Sequence, residues 1–483
     1  MRIAFLSIET EEYQKKAEFI NSTNIAYLMS YLEINFKDTL IFPLNENSLL
    51  PLAKPDIVCI YAPYSSTFNQ VIETVTYIKE TVNVPVIILG DHITYLPKTL
   101  PINADVGIIG EGEETLREVI QLVKDNNFNE KSLSEVAGIV FHSRGQKIIT
   151  NNAQIIDKLD SLPLTRRFFY KMPGNWLPSL ITGRGNPKKN IYSHNNIPIR
   201  LNSAERIIND LVDIMTFHPE KNIIPVRDHL FLHDINRFKN FIEIVEKTNL
   251  TKHLRLEINA QVEQLNDEVL YLLRHVLDTP QLNIYLSSPS EKIQKELKEN
   301  PFSINSYKKV IDSCYKYNIK TKLFFLTGFI AETKEEASKN YWTVRSQYLN
   351  KFKDFKSELE VLIPKPGTEM WQKAAQKKLV NTDNFNWDNL NPTNLTNKSV
   401  LLSNVNSNET NLMIQSYKDL NKVVIKQSHL DSQRRKHIES MTEKISKIAE
   451  DLISDIGKIY DEMFYNMATK NYPDAPNITD YLR

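Results

Sequence analysis

The stretch 180–195, LITGRGNPKKNIYSHN, brings together side chains whose types and spacing could do chemistry. Asn186, Asn190 and Ser193 follow one another at intervals of four and three residues, among the cations Arg184, Lys188 and Lys189. Carboxamides and a hydroxyl can bind a polar guest or bond each other and water, and the second outcome is the one expected here. The cations make a phosphate or carboxylate guest conceivable. Iron–sulfur clusters, by contrast, are held by soft, anionic thiolates, and the chain has two cysteines, Cys59 and Cys314. A three-thiolate site cannot be assembled from them, and both read as small core residues. His194, His229 and His233 lie in the same region, and histidine is the commonest metal ligand, yet no metal site is expected from them. Asp228 could serve as a general base, with no partner identifiable from sequence.

The elements that must position these groups come from a chain of 483 residues, 41% of them hydrophobic, enough for a large core and about two to four domains. With 59 basic and 59 acidic residues the net charge is zero, which gives no reason to expect nucleic acid or an anionic membrane as partner. Two lone cysteines and the absence of a long apolar run fit a cytoplasmic protein. Glycine is scarce at 12 residues, where average usage would give roughly 34, and that weighs against a full set of cofactor loops.

Residues 1–125 alternate strand-length runs such as DIVCIYA and VPVIILG with helical patterns such as FNQVIETVTYIKETV. That order implies an α/β, Rossmann-like domain with a parallel sheet. Ligands of such sheets sit at the carboxyl ends of the strands, here Ser7–Thr10, Tyr61–Thr67, Gly90–Thr94 and Gly110–Glu113. Gly110-Glu111-Gly112-Glu113 reads equally well as a cofactor contact and as a tight turn with acidic residues at a helix N-terminus. Residues 126–170 read as a linker with a small hairpin, and 171–375 as a second alternation, where Ser203 is placed to cap a helix. Residues 376–483 hold an asparagine-rich segment, expected to lie over the surface of the second domain or to stay partly mobile, and then a helical region from about 408. The short run Gln433-Arg434-Arg435-Lys436 reads as a solvated helix face.

Several of these motifs resemble the cobalamin-dependent radical SAM family. IIGEGEETL is similar to the family's V-I-G-E-G-E-x-T-L, ILGDHITYLP to its L-G-G-x-H-x-x-x-x-P, and VLIPKPGTEMWQKA to its P-x-P-G-T strand. GRGNPKKNIYS stands where the family has R-G-C-P-x-x-C-x-x-C, with Asn186, Asn190 and Ser193 in the cysteine positions. The resemblance covers about residues 1–400. It implies an N-terminal cobalamin-binding-type Rossmann domain, a partial TIM-like barrel and a C-terminal helical region.

The same resemblance implies a cobalamin site around Gly90, Asp91, Gly110, Glu111, Gly112 and Glu113, with Asp91 in place of a second glycine and Tyr61 able to close the pocket for the nucleotide tail. It also implies a degenerate S-adenosylmethionine site, because Ser287 replaces the family's glutamate and Pro289 its glycine. The expectation is a catalytically degenerate member without a [4Fe–4S] cluster, cobalamin remaining possible and SAM not held in the family's manner. Such a chain would be a binding or partner subunit for an active relative or its substrate. The alternative is an enzyme that uses cobalamin or SAM for non-radical chemistry such as methyl transfer.

Overall fold

The computed structural model describes residues 1–8, 20–44, 46–165, 179–194, 197–219, 223–248, 250, 254–286, 288, 290–297, 304–330, 332–333, 335–337 and 356–415. The chain divides into two compact units, Met1–Asn421 and Lys422–Arg483, and the second lies wholly outside the described residues, as does the basic run 433–436. Among the described residues no helix is long and apolar enough to cross a membrane.

The first domain is a seven-stranded sheet, with β1 (Arg2–Ser7), β2 (Leu40–Leu44), β3 (Ile57–Tyr61), β4 (Val86–Leu89), β5 (Val106–Ile108), β6 (Ile139–Ser143) and β7 (Gln146–Ile149) in the order β2-β1-β3-β4-β5-β6-β7. The first five strands are parallel, as the strand and helix alternation requires. Successive side chains of a strand point to opposite faces. Ile3 and Phe5 therefore join the core under helices Ile20–Asn35 and Glu113–Lys124, while Ala4 and Leu6 join the one under helix Phe68–Thr81. The expected hairpin is β6–β7, added antiparallel to β5. Its turn residues Arg144 and Gly145 both have positive φ, 49° and 78°, as the tightest hairpin turns demand.

The second domain is a five-stranded, all-parallel sheet of β10 (Ile224–Val226), β11 (Leu256–Gln261), β12 (Gln281–Leu286), β13 (Lys320–Thr327) and β14 (Lys356–Val361). Leu180 bridges to Val226 and extends its edge, and the short antiparallel pair β8 (Gly183–Arg184) and β9 (Arg200–Leu201) follows. Leu256, Ile258, Leu282, Ile284, Leu323 and Phe325 pack against helices Ala204–Phe217, Ile235–Lys247, Asp267–His275 and Ile304–Lys316. The alternate residues put polar groups on the other face, beside the stacked rings of Tyr285 and Phe324. There Asn283 donates to Glu257 at 2.8 Å and to Asn259 at 2.9 Å, Arg227 donates to Glu257 at 2.8 Å, and Asn259 donates to the Arg227 carbonyl at 2.7 Å. Ser203 caps its helix by accepting from Arg206 N at 3.0 Å.

The asparagine-rich segment packs against both domains, and on the side of the second it shares a buried core with Phe329, Val361 and Ile363. Trp387, Leu390, Leu395, Val400 and Leu402 are buried in the core that holds Val71, Val75 and Ile78 of the first domain. Its asparagines build turns: Asn381, Asn386 and Asn391 each accept from the backbone N–H two residues on, at 3.0, 3.1 and 2.9 Å, the local bond that makes this residue a turn former. Residues 407–415 then begin the helical region. Trp387→Ala should cost about 3–5 kcal/mol, the range for emptying a buried tryptophan site. Urea unfolding would measure it, and limited proteolysis should cut first within 381–400.

Candidate functional site

The loop that carries Asn186, Asn190 and Ser193 is fixed at both ends. At its start Leu180 N donates to the Pro225 carbonyl at 2.9 Å, and Thr182 gives both its N–H and its hydroxyl to Asp228, the latter at 2.7 Å. Asp228 also accepts from Leu230 N at 2.8 Å. Burial raises the Asp228 carboxyl pKa against these bonds, but its oxygens are committed to holding the loop, so the general-base reading gives way to a structural one. Gly183 and Gly185 are dictated by β9, since an added Cβ would stand 2.7 Å from Arg200 O and 2.6 Å from Pro198 O. At the far end Met370 N donates to Ile191 O at 2.9 Å.

Within the loop the three polar residues meet protein partners. Asn186 accepts from Lys188 N at 2.9 Å, an Asx turn. Asn190 and Ser193 are 1% and 6% exposed, and the Ser193 hydroxyl donates to the Asn190 carboxamide. Lys188 reaches Glu263 at 4.0 Å. Cys59 and Cys314 lie in separate apolar cores. Burial pushes both thiols up, Cys314 to about 12, so neither is a thiolate near neutral pH. Among the described residues no group of three His, Cys, Asp or Glu side chains stands close enough to hold a metal ion. His194 donates through Nε2 to the Pro366 carbonyl at 2.8 Å and stacks on Tyr95, while His229 stands edge-on to Tyr285.

The Gly110–Glu113 turn faces this loop. Glu111 accepts from Arg184 at 2.9 Å and from Arg200 through both terminal nitrogens, one at 3.0 Å, and Glu113 accepts from the other nitrogen of Arg184. Arg200 also donates to the Ile156 carbonyl of the linker at 2.8 Å, and Arg184 lies over the Tyr27 ring. Burial would raise the Glu111 carboxyl, but the hydrogen bond from Arg200 and the two guanidinium charges hold it below its ordinary range. Burial would lower Arg184, yet the Glu113 and Glu111 carboxylates keep it above the usual arginine value. Gly110 and Gly112 have φ of 102° and 96°, so the motif's glycines make the turn and its glutamates grip the second domain.

The remaining strand ends lie close by. Gly90 has φ +115° and a Cβ there would meet Ala62 O at 2.3 Å. Tyr61 turns into the core and accepts from Asn24 at 3.1 Å. Asp91, Tyr95, His194, Tyr64, Lys365 and Pro366 line a cleft of about 120 Å³ between the domains, and Gly367 lies so near the Tyr95 ring that a Cβ would meet it at 2.2 Å. The cleft's volume is below the roughly 300–1,000 Å³ that pockets for drug-sized ligands span. Ser287 and Pro289 lie outside the described residues. Arg200 and the buried His92 went unmarked in the sequence. His92 stacks on Phe68 at 3.5 Å, bonds Thr99 at 2.9 Å, and is pushed down to about 3 by burial.

No protein-family model matches the chain, and no curated protein matches it in sequence. Solved structures share its fold. The radical S-adenosylmethionine methyltransferase TsrM from Kitasatospora setae, with cobalamin and a [4Fe–4S] cluster bound, superposes with TM-score 0.62 at 14% identity, over 78% of this chain and 75% of that one. The cobalamin-dependent S-adenosylmethionine radical enzyme OxsB superposes with TM-score 0.64 at 14% identity, over 92% of this chain and 71% of that one. The α/β architecture expected from the motifs is therefore the observed one.

Glu111→Gln should destabilise the protein by about 3 kcal/mol, because it leaves two largely buried guanidiniums short of their counter-charge. The Glu111 pKa is depressed in the folded state, so its stabilisation is full above the unfolded value and is lost as pH falls through the folded one. Urea midpoints of the parent should drop more steeply below about pH 4.5 than those of Glu111→Gln.

Proposed function

We propose that the chain is a cluster-free relative of the cobalamin-dependent radical SAM enzymes, serving as a binding or partner subunit for an active relative or its substrate. The observation that carries this reading is the bond between Asn190 and Ser193, two of the three positions where the family has cysteine, both buried and turned to each other. A loop built to hold iron would present thiolates to an open space. This one closes on itself, while Asp228, Arg184 and Met370 keep its path through the fold. Cytoplasmic location goes with this reading, as a proposal drawn from cysteine usage.

A second reading, cobalamin- or SAM-dependent chemistry without a radical step, is favoured by one feature. Asp91, Tyr95, His194 and Lys365 meet at the carboxyl ends of the first sheet's strands, where ligands of such sheets bind. Anaerobic reconstitution with ferrous iron and sulfide should leave the chain without stoichiometric iron or thiolate-to-iron absorption, and a full complement of cluster iron would overturn the proposal. Hydroxocobalamin added to the same protein then divides the readings. Stoichiometric binding transfers the proposal to the second, whereas no binding leaves the partner role.

A further inference from the structure

Away from the domain junction, the asparagine-rich segment and the first domain enclose a cavity of about 450 Å³, within the roughly 300–1,000 Å³ that small-molecule pockets span. Phe68 and Trp387, both buried, meet edge-on at 6.0 Å beneath it, and the half-buried Phe385, edge-on to Trp387 at 5.1 Å, reaches its lining beside the exposed Ile72. Ile102, 78% exposed, stands at its rim. A polar wall carries Lys98, Lys147 and Asp383. Lys147 donates to the Lys98 carbonyl at 2.6 Å, which holds its ammonium over the pocket. Burial lowers the Lys147 pKa, while the charge of Asp383 opposes that shift. Two cations against one carboxylate leave this wall net positive.

We propose that this cavity is a binding site for a small aromatic acid, whose planar body lies on Phe385 between Ile72 and Ile102 and whose anionic group meets Lys98 and Lys147. An apolar floor with a few convergent polar groups is what recognises such a molecule, and aromatic faces favour flat rings. An ammonium held at the edge of an apolar surface gives a charge-assisted bond to a carboxylate or sulfonate. A neutral ligand would gain the floor and forgo that bond.

Anilinonaphthalene sulfonate, an aromatic anion whose fluorescence rises in apolar surroundings, is the probe. With the full chain it should bind saturably at one site, and its uncharged counterpart N-phenylnaphthylamine should bind about tenfold more weakly, a difference of ~1.4 kcal/mol. Lys147→Glu and Ile102→Glu both alter exposed side chains, so folding should persist, as circular dichroism would verify. Each should weaken the anion about tenfold through like-charge repulsion, while Lys147→Arg should retain it. Non-saturable binding, equal affinity for the two probes, or an affinity unchanged by both substitutions would overturn the assignment.

Discussion

Two carboxylates and two guanidiniums, drawn from a turn of the first domain and a loop of the second, meet where little water reaches them, and the geometry of the junction rests on that meeting. Arg184 and Glu113 have side chains 18% and 2% exposed, Arg200 and Glu111 6% and 22%. Taking four charges this far out of water costs several kcal/mol per ion, which mutual attraction offsets when the geometry is good and the remaining donors are satisfied. Here Arg200 gives a further bond to Ile156, so the linker enters the same lattice. A neighbouring buried pair, Arg206 with Asp210 at 3.1 Å, captures the Pro163 carbonyl at 2.9 Å and stands near Tyr27. Such lattices contribute modest net stability but strongly penalise any arrangement that strands one member. Their effect is to fix how the turn, the linker and the loop sit together.

The first domain was legible because its signals are local. Runs such as IVCIY and VIIL are strand-length and β-branched, and Arg144-Gly145 marks the hairpin turn that closes the added pair. The grip of Glu111 and Glu113 was not legible, because their partners lie 73 and 89 residues away for Glu111 and 71 for Glu113. Sequence spacing shows which charges exist, and folding decides which of them meet. Asp228 illustrates the same limit: a lone aspartate reads as a possible base until Thr182 and Leu230 are seen to fill its oxygens.

The order within the asparagine-rich segment was hidden from the sequence for a different reason. Average polarity treats asparagine as a solvating residue, yet Asn381, Asn386 and Asn391 spend their side chains on turns of the segment itself. Those turns set Trp387, Leu390 and Leu402 to point inward, and a handful of apolar residues then suffices to bury the segment against helix Phe68–Thr81. His92, sandwiched between Phe68 and Trp387, is sealed by the same layer. Periodicity analysis has no purchase on a segment whose order comes from side-chain-to-backbone bonds.

The polar residues of the loop show how an interior segment is kept without unpaired groups. A buried polar group without a partner costs about 1–3 kcal/mol, so side chains exchanged at interior positions must satisfy one another or give way to apolar ones. Asn190 and Ser193 satisfy one another, and Asn186 satisfies a turn of its own loop. The polar face of the barrel sheet obeys the same constraint, with Asn283, Glu257, Arg227 and Asn259 closing a ring of hydrogen bonds. Beside that ring the same face carries the stacked rings of Tyr285 and Phe324. Its polar groups are matched internally, so the sheet keeps its form with those side chains paired to one another.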